Sequence, residues 1–306
     1  MPKARIEAVL NPRSIVLVGA SDTPGTLGDI LRRNLDTAGF KGRVDYVNPA
    51  HTEIAGRAAW RSVRDLPQPA DVALIVTPAQ TIPDVITECG EKGIHAAIIV
   101  SAGFRDGGVP GLALEAELKR RARLHGVRFL GPNSLGLLRT DSALNATCGP
   151  DQPKAGRLAL VSQSGALCTA MIDWARKRQV GFSTVISTGL GADIGFGEIL
   201  DFLVHDAATD SIMLYTEGVD DARRFMSALR AASRVKPVVV MKAGRHAEDA
   251  AAASFHTGAL VGGDDVFDAA LRRAGVLRIH DLSDFFTAAA TLAAGVRVGG
   301  RRLAIV

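Results

Sequence analysis

The chain reads as an α/β protein of two domains in series, a doubly wound domain followed by a flavodoxin-like one. Three observations point there. Short apolar, β-rich runs alternate with longer 3.6-periodic segments from Ser14 to Leu130 and again from Leu158 to Lys242, the signature of βαβ units. The 306 residues exceed the usual size of one core. Turn chemistry gathers between the two sets, in Thr140–Ala155, where Gly149-Pro150 and Gln152-Pro153 stand among few apolar positions.

In the first set, strands are expected at Ser14–Gly19, Arg43–Asn48, Asp71–Val76, His95–Ser101 and Val127–Leu130. Helices are expected at Gly28–Ala38, Ile82–Lys92 and Leu112–His125. A parallel sheet of this kind holds its ligand at the carboxyl ends of its strands. Residues 1–140 form this domain and 141–155 a linker. The second domain, 156–298, has expected strands at Leu158–Ser162, Gly181–Ser187, Ser211–Glu217 and Pro237–Lys242. Its helical patterns cover Ala166–Arg178, Gly197–Val204 and Asp221–Ser233, and another begins near Asp264. Residues 299–306, with the run Arg301–Val306, read as the first strand of a further domain, so the chain is expected to be part of something longer.

Composition narrows the function classes. Apolar residues at 47% and charged ones at 22% are ordinary for a folded α/β protein. The formal charge of +4 is spread along the chain, and aromatics, only 5%, do not interleave with basic residues, so nucleic acid is not an expected partner. Cys89, Cys148 and Cys168 lack paired spacing and no secretory signal precedes them, so reduced thiols and a cytoplasmic setting are expected. No stretch approaches the roughly 20 apolar residues of a membrane span, and neither a membrane nor a metal site is expected.

Several short segments carry chemistry. The first strand runs into Gly19-Ala20-Ser21-Asp22-Thr23-Pro24-Gly25-Thr26-Leu27-Gly28, where Gly19, Ser21, Gly25 and Gly28 suit either a phosphate-binding loop or a plain turn. The spacing is not G-x-G-x-x-G, and the second strand ends in Val47-Asn48-Pro49 without the acid that grips a ribose, which disfavours NAD. Thr77-Pro78 and Ser101-Ala102-Gly103-Phe104 close the third and fourth strands, and the three tips would line one crevice. Ser162-Gln163-Ser164-Gly165-Ala166 carries a strand into a helix through hydroxyls and small residues, as an anion cradle or as a simple N-cap would. Glu217 ends an apolar strand, where a carboxylate can orient an imidazole or merely be solvated. His256 lies in a small-residue loop before a helical pattern, where a neutral imidazole can act as nucleophile beside an anion site or simply pack.

Taken in order, Asn11-Pro12-Arg13-Ser14-Ile15, Gly19-Ala20-Ser21, Val47-Asn48-Pro49, Ser101-Ala102-Gly103-Phe104, Leu130-Gly131-Pro132-Asn133-Ser134-Leu135-Gly136, Ser162-Gln163-Ser164-Gly165-Ala166-Leu167, Tyr215-Thr216-Glu217-Gly218 and His256-Thr257-Gly258-Ala259-Leu260 closely resemble the NDP-forming acyl-CoA synthetases. The resemblance is strongest to the α part of ADP-forming acetate–CoA ligases, related to the succinyl-CoA synthetase α subunit. It implies a CoA-binding, Rossmann-like first domain and a succinyl-CoA-ligase-type second one. Coenzyme A would lie against Gly19, Ser21, Gly25, Gly28, Asn48, Pro49, Thr77, Pro78, Ser101–Phe104 and Asn133. His256 would carry the phosphoryl group, Glu217 would stabilise it, and Ser162, Ser164, Gly165 and Ala166 would cradle phosphate.

The resemblance further implies an acid–thiol ligase that interconverts acyl-CoA, phosphate and ADP with a small carboxylic acid, CoA and ATP. Nucleotide and Mg would enter through an ATP-grasp domain or subunit outside this sequence, and an oligomer is expected. Another reading is a non-catalytic acyl-CoA-binding region fused to a GNAT-type protein lysine acetyltransferase, a group that Asp221–Ala228 and Lys236-Pro237 also resemble. The presence of His256 favours catalysis. Three positions depart from the family pattern: Phe255 stands for Ser, Leu190 for Asn, and Ala50 for Lys.

Overall fold

The computed structural model describes residues 2–149, 152–244, 263–295 and 300. A helix α1 (Pro2–Leu10) leads into β1 (Ser14–Val18), α2 (Leu27–Ala38), β2 (Arg43–Val47), β3 (Glu53–Ile54) and β4 (Arg57–Trp60). Then come β5 (Val72–Ile75), α3 (Ile82–Lys92), β6 (Ala96–Ile99), α4 (Gly108–His125) and β7 (Arg128–Leu130). These strands form one sheet in the order β3-β4-β2-β1-β5-β6-β7. All its pairs are parallel except the β3/β4 hairpin. Every residue of β5 and β6 is buried, as parallel strands covered on both faces require. The chain leaves β1 for β2 on one side and returns to β5 on the other, which opens a crevice at the carboxyl end of β1.

The second sheet takes β8 (Gly136–Arg139), β9 (Leu144–Thr147), β10 (Lys154–Ser162), β11 (Gly181–Ser187), β12 (Ser211–Thr216), β13 (Val238–Lys242) and β14 (Leu277–Ile279). Its order is β14-β13-β12-β10-β11-β8-β9, so β10 occupies the switch point that β1 holds in the first sheet. The helices α5 (Gly165–Arg178), α6 (Phe196–His205), α7 (Ala222–Ser233), α8 (Asp264–Ala274) and α9 (Leu282–Ala293) complete the described part.

The expected linker needs correction. Leu144–Thr147, inside the segment read as 141–155, is a fully buried strand that pairs antiparallel with β8, and β8 pairs antiparallel with β11. The second sheet therefore begins at Gly136, and the turn residues after Arg139 belong to its hairpin, where Ala143 has φ 52°. Only four residues separate the partners, and period-2 reading finds little in so short a run. The two- to four-residue strands β3, β4 and β14 are too short for period-2 reading in the same way, and the helices α1 and α9 are further elements that the sequence analysis does not name. α4 starts at Gly108 rather than Leu112, with Pro110 in its first turn, where a missing N–H costs no intrahelical bond. The strand expected at 301–306 lies outside the described residues.

The two sheets are joined by apolar and polar contacts. Leu10, Leu35, Leu137, Ile186 and Phe196 belong to one buried cluster that runs through both. Asn34 on α2 donates to the carbonyls of Thr147 and Gly149 at 2.7 and 2.9 Å. Arg128 on β7 grips both oxygens of Asp193 at 3.0 and 2.8 Å and Glu198 Oε1 at 2.8 Å.

Candidate functional site

Between the carboxyl ends of the two sheets lies a crevice of about 590 Å³. The first sheet contributes Ser101 and Ala102 after β6 and Asn133 after β7; the second contributes Ser164, Gly165 and Ala166 after β10, Leu190 after β11 and Glu217 after β12. These eight residues, which the sequence analysis names in separate segments, thus line one space.

The first-sheet wall is stitched tip to tip. Ser101 Oγ donates to the Thr77 carbonyl at 2.6 Å, and the Ser101 carbonyl accepts from Asn133 N at 2.9 Å. Asp106, which sequence reasoning passes over, accepts from the backbone N–H of Gly103 at 3.1 Å and of Phe104 at 2.8 Å, and from Asn133 Nδ2 at 3.3 Å. Its place three residues after Gly103 is the signal that could have found it, since Asp side chains commonly close such turns. Phe104 is fully buried, a packing residue rather than a crevice wall.

The β1 loop stands beside this wall. Asn48 Nδ2 donates to the Ala20 carbonyl at 2.8 Å while its Oδ1 accepts from Ala50 N at 2.9 Å, so Asn48 binds the β2 tip to the loop. Ser21 Oγ accepts from Thr23 N at 3.0 Å, and Thr26 caps α2 by accepting from Asp29 N at 3.3 Å. Gly28 is required by close approach: a Cβ there would stand 2.1 Å from the Gly19 carbonyl oxygen. Gly19, Ser21, Gly25, Gly28, Asn48, Pro49, Thr77, Pro78, Gly103 and Phe104 do not line the crevice itself; Leu27 does. Buried Asp29 is held below the ordinary carboxylate range: burial opposes its ionisation, but bonds and charge from Arg32 and Arg33 outweigh that.

On the facing wall, Ser162 Oγ accepts from Ser164 N at 3.0 Å and Ser164 Oγ accepts from Leu167 N at 3.2 Å, which caps α5. Gly165 and Ala166, the first two residues of α5, line the crevice at the positive end of the helix dipole. Gln163, also passed over because amides carry no distinctive chemistry, holds the β12 tip. Its Oε1 accepts from Glu217 N, from Gly218 N at 3.1 Å and from Thr216 Oγ1 at 3.0 Å, and its Nε2 donates to the Gly218 carbonyl at 3.0 Å. Burial, and then the charge of Glu217, push the neighbouring Tyr215 phenol up. Cys148 also faces the crevice, with its thiol raised by burial.

Of the departing positions, Leu190 is buried and its carbonyl accepts from Arg105 Nη2 at 2.7 Å across the domain boundary. Ala50 is exposed in the turn after β2. His256 and Phe255 lie outside the described residues, and so does the expected approach of His256 to Glu217. Among the described residues no cluster of side chains suits a metal ion, and no helix is long and apolar enough to cross a membrane.

Residues 13–140 match the CoA binding domain family, and residues 155–292 match the succinyl-CoA ligase like flavodoxin domain family. The chain is 42% identical over 285 residues to the α subunit of ADP-forming acetate–CoA ligase I of Pyrococcus furiosus, a match covering 92% of this chain and 62% of that subunit. It is 41% identical over 281 residues to ADP-forming acetate–CoA ligase I of Archaeoglobus fulgidus, covering 92% of this chain and 41% of that protein. The dinucleotide-forming acetyl-coenzyme A synthetase 1 of Ca. Korarchaeum cryptofilum, solved with phosphate and ADP, has the same architecture with a TM-score of 0.90 at 37% identity, covering 94% of this chain and 62% of that one. The chain thus spans less than two thirds of the length of each of these three relatives.

Proposed function

Because the chain belongs to the NDP-forming acyl-CoA synthetase family, we propose that it is the α-type part of an ADP-forming acid–thiol ligase. It binds acyl-CoA against the first sheet and carries a phosphoryl group on His256. In the ATP-forming direction phosphate attacks the thioester carbonyl, the C–S bond breaks, and CoA leaves as thiol with acyl phosphate as product. The imidazole of His256 then attacks phosphorus and the carboxylate of the acid leaves. An ATP-grasp domain or subunit, with Mg²⁺ and ADP, takes the phosphoryl group from histidine.

The observation that carries this reading is the single crevice in which the strand tips of the CoA-type domain face Ser164, Gly165 and Glu217. Backbone donors at the start of α5 stabilise charge on the phosphoryl group in transfer, a fixed electrostatic arrangement that needs no reorganisation. Glu217, set by Gln163, orients the imidazole and stabilises its cationic form. The first domain takes CoA rather than NAD, because β2 ends in Asn48, already engaged with the β1 loop, instead of an acid.

The test uses the complete protein with its ATP-grasp part, acetyl-CoA, phosphate, ADP and Mg²⁺. Equal amounts of ATP, CoA and free acid should appear, and His256→Asn should abolish all three. Acyl transfer to protein lysines without ATP formation would instead support the acetyltransferase-linked reading.

A further inference from the structure

Arg105 ties the first domain to the second at the edge of the crevice. It follows Phe104 at the β6 tip, and its side chain is 11% exposed. Its Nε lies 3.1 Å from Oε2 of buried Glu115 on α4, whose other oxygen takes Lys119 Nζ at 2.6 Å. Its Nη2 donates to the Leu190 carbonyl at 2.7 Å, in the loop after β11. A guanidinium is a rigid planar fork, so once Glu115 sets Nε the direction of Nη2 is fixed, and with it the place of that carbonyl.

The Leu190 side chain belongs to the same buried cluster as Val16, Ile75, Ile99 and Phe129 of the first sheet, and its N–H donates to the Pro132 carbonyl at 2.9 Å. Apolar burial is non-directional, so the two hydrogen bonds give this loop its orientation. Two residues earlier the same loop reaches the serine segment: Thr188 N donates to the Ser162 carbonyl at 2.8 Å, and Ser162 Oγ accepts from Ser164 N at 3.0 Å. On the other side Asp106, next to Arg105, ties Gly103, Phe104 and Asn133 together. Consecutive residues therefore hold opposite walls. Asp106 fixes the first-sheet tips, and Arg105 fixes the loop that leads to Ser162–Ser164.

We propose that Arg105 is a positioning residue that sets the distance between the CoA-side strand tips and the serine loop. Resting on the ligase reading, that distance brings phosphate at Ser164 to the thioester carbonyl, and a misplacement of about 1 Å in such an approach costs about a hundredfold in rate. Without Arg105 the buried Leu190 carbonyl loses its donor, a cost that drives the loop towards water and opens the crevice.

The parent protein, Arg105→Met and Arg105→Met/Glu115→Met, each in the complete chain with its ATP-grasp part, separate positioning from stability. The single variant leaves buried Glu115 with Lys119 alone and should melt at a lower temperature. The double variant replaces the ion pair by two apolar chains and should regain most of that loss. Neither has the bond to Leu190, so labelling of His256 by phosphate and acetyl-CoA should be at least about tenfold slower in both, with CoA affinity by calorimetry nearly unchanged. A labelling rate that returns with the melting temperature would make Arg105 a stabilising residue only and overturn the proposal. Cys148 reports the crevice without any ligase chemistry, since it faces that space while Cys89 and Cys168 are buried. Its alkylation by N-ethylmaleimide, mapped by mass spectrometry, should be severalfold faster in the double variant than in the parent, and an unchanged rate would also overturn the proposal. A parent protein that takes no label defeats the ligase reading, and the alkylation rates still decide whether Arg105 holds the walls.

Discussion

Gln163 shows how a residue with no reactive group can determine a site. Its amide makes four hydrogen bonds to Thr216–Gly218, so the backbone of Glu217 is fixed from the second-sheet serine loop rather than by its own strand alone. Gln163→Leu leaves those backbone groups part-buried without their partner, at a cost of about 1–3 kcal/mol. We expect a lowered melting temperature, slower His256 phosphorylation and unchanged CoA affinity, read by thermal denaturation, phosphate incorporation and calorimetry. Glu217→Gln differs: it keeps shape and folding but removes the carboxylate charge. Phosphorylation should slow with melting temperature preserved, and a rate equal to the parent protein would remove Glu217 from the mechanism. Sequence reading found Glu217 through its place at a strand tip and missed Gln163 and Asp106, because both act on backbone groups distant in sequence or on turn geometry that only the fold assembles.

At the scale of elements, the β1 loop and the start of α2 form a unit whose backbone contacts leave no room for a side chain at Gly28. A Cβ there meets a carbonyl oxygen and not a flexible side chain, so the helix start must move. Gly28→Ala should cost about 1–3 kcal/mol as overpacking and should weaken CoA binding on calorimetry of the complete chain. NAD should bind more weakly than CoA in the parent protein, and the reverse order would overturn the assignment of this loop. The principal parallel strands were legible because buried β-branched runs separated by 3.6-periodic helices are a strong pattern. The β8/β9 hairpin was not, since its four-residue strands are defined by pairing with β11 and by packing against α2. Gly-Pro and Gln-Pro after β9 drew attention to a turn and concealed the strand before it.

For the whole molecule, function on this account requires two sheets held so that their carboxyl ends share one crevice. The Arg128 pair with Asp193 and Glu198 crosses that boundary, with its guanidinium pushed up in pKa by the two carboxylates against the opposing effect of burial. Arg128 is partly exposed, so the loss on Arg128→Met is smaller than a fully buried pair would give, about 1 kcal/mol or somewhat more. Its sharper effect should be a faster proteolytic cut between the domains and a weaker dependence of phosphorylation on bound CoA. The crevice could be anticipated from the sequence only in part. Ser101, Ser164 and Glu217 each carry a local signal and Asn133 enters only through the family resemblance, but that they line one space depends on docking two sheets, which no local pattern encodes. The central claim is phosphoryl transfer to His256, and it is tested most directly by incubating the complete protein with acetyl-CoA and labelled phosphate and mapping the label. Acid-labile, base-stable label is expected on His256, requiring the acyl-CoA and absent from His256→Asn; bound CoA with no label, or label on another residue, would rule out phosphoryl transfer to His256.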